Sequence, residues 1–187
     1  VGKAARSFSQ SLSGFLADVE LLVLGTTLAT NAVLTKRGAK TGMITTKNFR
    51  DIIEIRRGIR GIENRNMYNQ VLPPYKPLVP RRHRLEVEER IIDSGEILTP
   101  LNEEETRAAV TNLKAAGMES LAICFLHSYA NPDHEIRVRE IVRRRMPGAF
   151  VTASHELTQE YREFERTSTV VANAFVGPNT RRYIAGI

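Results

Sequence analysis

The sequence predicts an α/β fold in which helices cover a sheet. Two features carry this prediction: short continuous apolar runs, typical of strands buried on both faces, and amphipathic helical segments that alternate with them. The clearest pair is the apolar run 121–126 followed by a helix that begins near Asn131. A length of 187 residues suits a single domain over residues 1–187, or one lobe of a two-lobed enzyme.

Composition and charge exclude several classes of protein. The 42% of hydrophobic residues can form a core, and no apolar stretch nears the roughly 20 residues that span a bilayer, so we expect no membrane contact. The single cysteine, Cys124, excludes an internal disulfide, fits the reducing cytoplasm and is expected to be a small buried hydrophobe. Residues 47–90 hold eleven Lys/Arg against six Asp/Glu. The two signs interleave there, which favours a mixed solvated face over a nucleic-acid site.

The first part of the chain predicts alternating strands and helices. The apolar run 21–24 predicts a buried strand, and the helix after it is predicted to end near Gly38. A strand over 40–45 and a short helix over 49–57 continue the alternation, which favours a parallel sheet.

A long irregular loop is predicted over residues 58–80, where four prolines oppose regular structure. Beyond it, Leu85 and Val87 alternate with charged residues such as Arg84. This pattern predicts a strand with one solvent-facing side, and a turn and a short strand at 97–98 follow it.

Two capped helices are predicted in the second half. Asn102 and Glu105 form a capping-box-like start, in which each side chain satisfies an otherwise unpaired backbone N–H. Asn131 is predicted to cap the next helix, with Pro132 at its first position, where a missing N–H costs nothing.

The last predicted elements are a strand over 149–153 and a long helix that is interrupted near Gly177 and Pro178. The sequence opens at Val1 without an initiator methionine and stops at Ile187 inside this helical pattern. We therefore expect it to be a piece of a longer protein.

A strand-to-helix junction has the chemistry to bind an oxygen-rich ligand. Gly25, Thr26 and Thr27 would expose backbone N–H groups at the positive end of a helix, where two hydroxyls add donors. A phosphate or a polarised carbonyl oxygen fits such a turn, and a threonine N-cap after a tight glycine turn is the structural alternative. Asn31, one turn further on, is a second candidate for the same cleft.

Arg166 lies in a charged cluster at the start of the last predicted helix. Because a guanidinium suits two-pronged contacts with oxyanions, Arg166 is a candidate anchor for substrate or phosphate. The alternative is an internal ion-pair network, in which Glu163 or Glu165 separates Arg166 from Arg162 four residues earlier.

The histidines do not predict a metal site. His127 and His134 are seven residues apart and flank a helix cap, so they do not share a helical face at ligand spacing. We expect no metal in this chain, and a structural hydrogen bond or an interface contact for His127. The sequence supplies no complete set of nucleophile, base and oxyanion hole, so catalytic residues stay unassigned.

Several blocks of sequence together point to one family. They are Gly25-Thr26-Thr27 with 29–32, 44–46 with Phe49-Arg50-Asp51, 77–81, 125–135 and 165–174. On these blocks the chain resembles the hydantoinase A / 5-oxoprolinase family of ATP-dependent enzymes over about residues 15–185.

The resemblance implies a partial actin/sugar-kinase/Hsp70-like (ribonuclease H-like) lobe with a mixed sheet and covering helices, which would close with a second lobe on ATP and Mg. It also implies that ATP phosphorylates the oxygen of a small cyclic amide. A hydantoinase B-type subunit or domain is the implied partner and source of a metal, in an oligomer. The isolated piece is expected to be inactive.

Two alternatives stay open at this point. Related sequences include acetone and acetophenone carboxylase subunits, so the same lobe would serve an ATP-dependent ketone carboxylase. An alternative of another class is a non-catalytic interaction module that docks a partner through the loop 58–80.

The sequence also departs from the family pattern. Leu24 stands where the family usually has histidine, and Asn48 and Arg56 each replace a common glycine. The family's opening phosphate-loop strands have no counterpart before Leu24, so we expect the nucleotide site in this chain to be incomplete.

Overall fold

A parallel four-stranded sheet forms the centre of the fold. The computed structural model describes residues 2–9, 11–21, 23, 25–56 and 76–186. The strand order is β2–β1–β5–β6, and every neighbouring pair is parallel. The strands are β1 (Thr41–Thr46), β2 (Arg84–Val87), β5 (Ser120–Cys124) and β6 (Phe150–Ala153). Antiparallel pairing is confined to a separate two-stranded sheet of β3 (Arg90–Ile91) and β4 (Ile97–Thr99).

Helices cover both faces of this sheet. On one face, α5 (Glu103–Ala115) and α6 (Asp133–Arg145) pack on Ile44 and Ile123. On the other, α4 (Ile52–Ile55) and α8 (Glu163–Ala185) pack on Met43 and Ala122. Because successive side chains of a strand point to opposite faces, two covered faces require apolar residues throughout. The predicted α/β layering and parallel sheet are confirmed.

The N-terminal part contributes three short helices and no strand among its described residues. They are α1 (Gly2–Ser7), α2 (Leu12–Ala17) and α3 (Leu28–Thr35). The strand predicted over 21–24 is wrong where it is described, because Leu21 and Val23 are irregular and 78% and 79% exposed. A strand is stable only where neighbouring backbone pairs with it, and no described strand pairs here. Leu22 and Leu24 lie outside the described residues.

Two predicted helix boundaries move inward. Helix α3 ends at Thr35, because Lys36 after it adopts a left-handed backbone (φ 54°), so the helix stops before Gly38. Gly38 has another role, since a Cβ there would meet the Phe175 ring at 2.4 Å. Helix α4 spans four residues, Ile52–Ile55, because Arg56 also adopts a positive φ. Of the predicted loop 58–80, residues 58–75 lie outside the described residues.

Capping by Asn102 is confirmed at α5, with one difference. The Asn102 side chain accepts hydrogen bonds from the backbone N–H groups of Glu104 and Glu105. The Glu105 carboxylate does not return to Asn102 as a capping box would. It accepts instead from the N–H of Glu88 at 2.8 Å, which ties α5 to the end of β2. At α6, Asn131 does accept from the N–H of Asp133, but the helix begins at Asp133 and Pro132 is its N-cap, so the predicted place of Pro132 at the first helical position is wrong by one residue.

Two predictions about polar surfaces and helix breaks are wrong. Arg84 was expected on the solvent-facing side of its strand, but its side chain is fully buried and donates to the carbonyls of Val79 and Arg50. Helix α8 was expected to break at Gly177 and Pro178, but it runs through both. The Ser120 hydroxyl of β5 donates a hydrogen bond to the Ala174 carbonyl, which Pro178 cannot pair because it has no N–H.

No helix in the described part of the chain is both long and apolar enough to span a membrane.

Candidate functional site

The N-terminus of α3 brings together four of the predicted site residues in one exposed turn. The hydroxyl of Thr26 accepts from the N–H of Leu28 at 3.2 Å, and Asn31 Nδ2 donates to the hydroxyl of Thr27 at 3.2 Å. Gly25 precedes them, and apart from its chain neighbours no atom of the described residues lies within 4 Å of the position that its Cβ would take. The turn therefore offers two hydroxyls and an amide beside open space, at the positive end of a helix.

Arg166, the fifth predicted residue, lies in the core. It is fully buried, and its Nη2 donates to the carbonyl of Phe125 at 3.0 Å and to the hydroxyls of Ser128 and Ser154. The guanidinium carbon lies 5.5 Å from the centre of the Tyr129 ring. Its Nε and Nη1 have no hydrogen-bond partner among the described residues. The ring face of Tyr129 supplies the compensating contact.

A buried carboxylate, Glu135, forms the centre of the cluster around Arg166. It accepts hydrogen bonds from the N–H of Phe125 (2.8 Å), the hydroxyl of Ser154 (2.6 Å), and both the N–H (3.0 Å) and Nδ1 (2.7 Å) of His155. Its Oε1 also lies 4.0 Å from Nη2 of Arg166. The negative partner of Arg166 is therefore Glu135, whereas the ion-pair alternative named Glu163 or Glu165.

A second buried carboxylate, Glu89, lies next to this cluster. It accepts from the hydroxyl of Thr46 and lies 2.8 Å from Nδ1 of His134. The Thr46 hydroxyl in turn accepts from the N–H of Leu126 at 3.0 Å. These bonds join the ends of β1 and β5 to the segment after β2 and to the first turn of α6.

Both carboxylates lie at the carboxyl edge of the parallel sheet. In open α/β sheets ligands bind at this edge, because the loops that leave the strands there form a crevice.

Within the described ranges, no group of three or more His, Cys, Asp or Glu side chains is placed to hold a metal ion. His127 makes the kind of contact that was expected of it, with Nδ1 3.1 Å from the hydroxyl of Tyr129.

A third polar contact joins two blocks that the sequence singled out. The Asp51 carboxylate accepts from Nε and Nη2 of Arg81 at 2.9 and 2.8 Å. The hydrogen bond from Arg81 lowers the pKa of Asp51, and the nearby charges of Arg50 and Arg84 act in the same direction. The block 49–51 is thereby fastened to the block 77–81.

The family profile for the hydantoinase/oxoprolinase N-terminal region matches residues 3–146 of the chain. The chain belongs to this hydantoinase/oxoprolinase family. An uncharacterized protein from Methanocaldococcus jannaschii is 43% identical over 169 residues, which cover 89% of the chain and 24% of that protein. Caprolactamase subunit alpha from Pseudomonas jessenii is 36% identical over 187 residues, which cover all of the chain and 27% of that subunit. The chain thus spans about a quarter of the length of these curated relatives.

Two solved structures share the fold. The crystal structure of ATP-dependent caprolactamase from Pseudomonas jessenii aligns with a TM-score of 0.85 over 98% of the chain and 26% of that protein, at 36% identity. Nucleotide-free acetone carboxylase aligns with a TM-score of 0.84 over 95% of the chain and 26% of that protein, at 29% identity. The predicted family and the predicted actin-like α/β lobe are confirmed.

In this hydantoinase/oxoprolinase lobe the predicted site residues form two groups. Thr26, Thr27 and Asn31 bond within their own exposed turn, whereas Arg166 bonds to the junctions after β5 and β6. Sequence reasoning missed Glu135, although its spacing to Val138 and Val142, three and seven residues on, places it on the buried stripe of α6.

The departures from the family pattern have a backbone consequence. Asn48 (φ 71°) and Arg56 (φ 55°), where the family resemblance implies glycine, both adopt a positive φ. This conformation favours glycine because it has no Cβ, and asparagine is the next most tolerant residue. The third departure, Leu24, lies outside the described residues.

Proposed function

We propose that this chain is one lobe of an enzyme that uses ATP to open cyclic amides. The observation that carries the proposal is the similarity, over the full length of the chain, to the alpha subunit of an ATP-dependent caprolactamase. The enzyme would transfer a phosphoryl group from ATP, with Mg, to the amide oxygen. This makes the oxygen a better leaving group and opens the amide carbon to attack by water.

The exposed turn at the start of α3 is the proposed binding point for the phosphoryl group or the amide oxygen. Helix N-termini attract anions, and here the hydroxyls of Thr26 and Thr27 and the amide of Asn31 add polar groups beside open space. Its contribution would be to orient the reacting oxygen, which accounts for much of the catalysis in phosphoryl transfer.

Arg166 has a different proposed role. Its guanidinium is fully buried and already donates to a carbonyl and two hydroxyls, which supports a positioning role. It would hold Ser128 and Ser154 in place, so that the segments after β5 and β6 keep their shape at the carboxyl edge.

A partner subunit completes the proposed enzyme. The name of the Pseudomonas relative, subunit alpha, supports a multi-subunit assembly, and we propose a hydantoinase B-type partner that contributes the metal. The single cysteine, which is free and buried, is consistent with a cytoplasmic location.

A ketone carboxylase is the second candidate function, and the close alignment to acetone carboxylase favours it. The two candidates are separated by assaying ATP hydrolysis by the full-length protein with its partner subunit. One arm supplies lactams (caprolactam, 5-oxoproline and hydantoin), and the other supplies acetone or acetophenone with bicarbonate.

We expect lactams to stimulate ATP hydrolysis and to yield the ring-opened amino acid. Stimulation by ketone and bicarbonate alone would replace the amide hydrolase by the carboxylase. No stimulation in either arm would refute both and favour the interaction module.

A further inference from the structure

One imidazole at the carboxyl edge is held in the manner of a proton-transfer group. His155 is the second residue of α7 (Ser154–Leu157), directly after β6. Its Nδ1 lies 2.7 Å from Oε2 of Glu135, and the same oxygen accepts from the His155 N–H at 3.0 Å. The Glu135 side chain is fully buried, whereas the His155 side chain remains 15% exposed.

This geometry decides which ring nitrogen carries the proton. A carboxylate only accepts hydrogen bonds, so in the neutral ring Nδ1 is the N–H side and Nε2 carries the free lone pair. Nε2 makes no hydrogen bond to any described residue and is absent from the buried atoms that lack a partner. A carboxylate behind Nδ1 also orients the ring, as it does for histidines whose other nitrogen binds a metal or transfers a proton.

Its other hydrogen bonds fix the orientation of the Glu135 carboxylate. Besides His155, it accepts from the N–H of Phe125 and the hydroxyl of Ser154, and Arg166 lies on its other side at 4.0 Å. Among the described residues, the charged groups linked to this contact are Glu135 from α6, which holds the ring, and Arg166 from α8, which lies beside Glu135. Glu156, the next residue along the chain, pairs with Arg139.

The His155 ring lies at an edge of the sheet where a substrate can bind. His155 lies where a parallel strand ends, at the edge where α/β folds bind their ligands. His134 makes an equivalent contact with Glu89, but its side chain is only 8% exposed. His155 is therefore the more accessible of the two carboxylate-held rings.

We infer that His155 transfers a proton in the amide-opening step, an inference that rests on the proposed function. Water adds to the carbon of the phosphorylated amide, and a lone pair of its oxygen forms the new C–O bond. The π pair of the C=N bond moves to the ring nitrogen of the substrate. Nε2 of His155 takes the proton from the attacking water and passes it to that nitrogen, so the imidazole is regenerated. The bond between the carbon and this nitrogen then breaks: the electron pair and the hydroxyl proton leave with the amine, and the hydroxyl oxygen forms the C=O bond of an acyl phosphate. A second water hydrolyses the acyl phosphate to the carboxylate and inorganic phosphate.

The test uses the full-length enzyme with its partner subunit and a lactam that stimulates ATP hydrolysis. His155→Gln is expected to lower kcat by about 10²- to 10³-fold with little change in KM, and to remove the acid limb of the pH profile. In His155→Ala, added imidazole should restore part of the lost rate. His83→Gln, a histidine in the turn Arg81–His83, is the matched control and should leave kcat unchanged.

A second measurement tests the geometry without any substrate. Enzyme labelled with ¹⁵N in the histidine rings should show His155 protonated on Nδ1 and free on Nε2. A ring protonated on Nε2 would overturn the inference.

The kinetic outcomes separate this inference from the proposed function. If the wild-type enzyme hydrolyses a lactam and His155→Gln keeps both its kcat and its acid limb, the proton-transfer role is refuted and the proposed function stands. If no lactam stimulates the wild type, the proposed function and this step are refuted together.

Discussion

The hydroxyl oxygen of Ser120 lies 2.6 Å from the carbonyl oxygen of Ala174. In an unbroken helix this carbonyl would accept from the N–H of residue 178, but Pro178 has none. The first residue of a central strand therefore supplies the hydrogen bond that the proline removes from α8. This contact explains why the proline does not end the helix.

The Ser120 hydroxyl should stabilise the protein mainly while Pro178 leaves the Ala174 carbonyl without a donor. Ser120→Ala leaves a buried carbonyl unpaired, and we expect the free energy of unfolding to fall by about 1–3 kcal/mol. In a Pro178→Ala background the restored N–H can bond to Ala174, so the same substitution should cost much less. Urea unfolding of the four proteins measures this difference. An equal cost in both backgrounds would mean that the hydroxyl does not compensate for the proline.

Gly177 in α8 is expected to resist replacement for a steric reason. A Cβ there would lie 2.4 Å from the Phe150 ring. Overpacking costs about 1–3 kcal/mol, against about 1 kcal/mol gained from replacing glycine by alanine in a helix, so Gly177→Ala should destabilise the protein. Gly148→Ala is the control, since apart from its chain neighbours no atom of the described residues lies within 4 Å of its Cβ position. A more stable Gly177→Ala protein would show that the ring moves aside freely.

The contact between Asp51 and Arg81 should make stability depend on pH. Its hydrogen bond lowers the pKa of Asp51 in the folded state, so its contribution is present above the unfolded pKa and lost as pH falls through the folded pKa. Because the pair is partly exposed, Asp51→Asn should cost no more than about 1 kcal/mol at pH 7. The difference from wild type should shrink below about pH 4.

Chemical unfolding of Asp51→Asn and wild type over a range of pH measures this effect. Asp93→Asn, in an exposed turn, serves as the control. A difference that stays constant down to acid pH would contradict the linkage.

The thiol of Cys124 should be unreactive in the folded protein. Burial raises its pKa to about 11, so the nucleophilic thiolate is rare at neutral pH. The rate of reaction with a disulfide reagent at pH 8 should be very low, and it should rise to that of a free thiol in denaturant. Rapid reaction of the native protein would show that this part of the core opens readily.

The hydroxyl of Thr27 should matter for turnover if the α3 turn orients the reacting oxygen. Thr27→Val keeps the shape of the side chain and removes the oxygen that Asn31 Nδ2 contacts. We expect kcat/KM of the full-length enzyme to fall by up to about 10²-fold, the loss typical of one group that stabilises an oxyanion. Thr35→Val is the matched control at the other end of the helix. If Thr27→Val were as active as Thr35→Val, the α3 turn would not orient the reacting oxygen.

Much of the fold could be predicted because its signals are local. The run 121–126 is apolar since both faces of β5 are covered, and α5 begins where Asn102 supplies a side-chain acceptor. The strand expected over 21–24 is absent at its described residues, Leu21 and Val23, for the opposite reason. An apolar run can become a strand only where another strand pairs with it, and local sequence does not report its neighbours.

The candidate site divides in the same way. Gly25, Thr26 and Thr27 were found because a glycine and two hydroxyls before a helix form a continuous signal. Glu135 and His155 were not, because their hydrogen bond joins residues twenty positions apart.

The amino-acid sequence by itself determined the layering, the capped helices, the family and the turn at Gly25–Thr27, since periodicity, caps and short motifs act over a few residues. Only the tertiary structure decided that Arg84 and Arg166 are buried. It also decided that the Glu135 carboxylate contacts the His155 ring and that the Ser120 hydroxyl donates a hydrogen bond to the carbonyl of Ala174. The physical reason is that a buried polar group needs a partner, and the chain can bring that partner from any distance along its length.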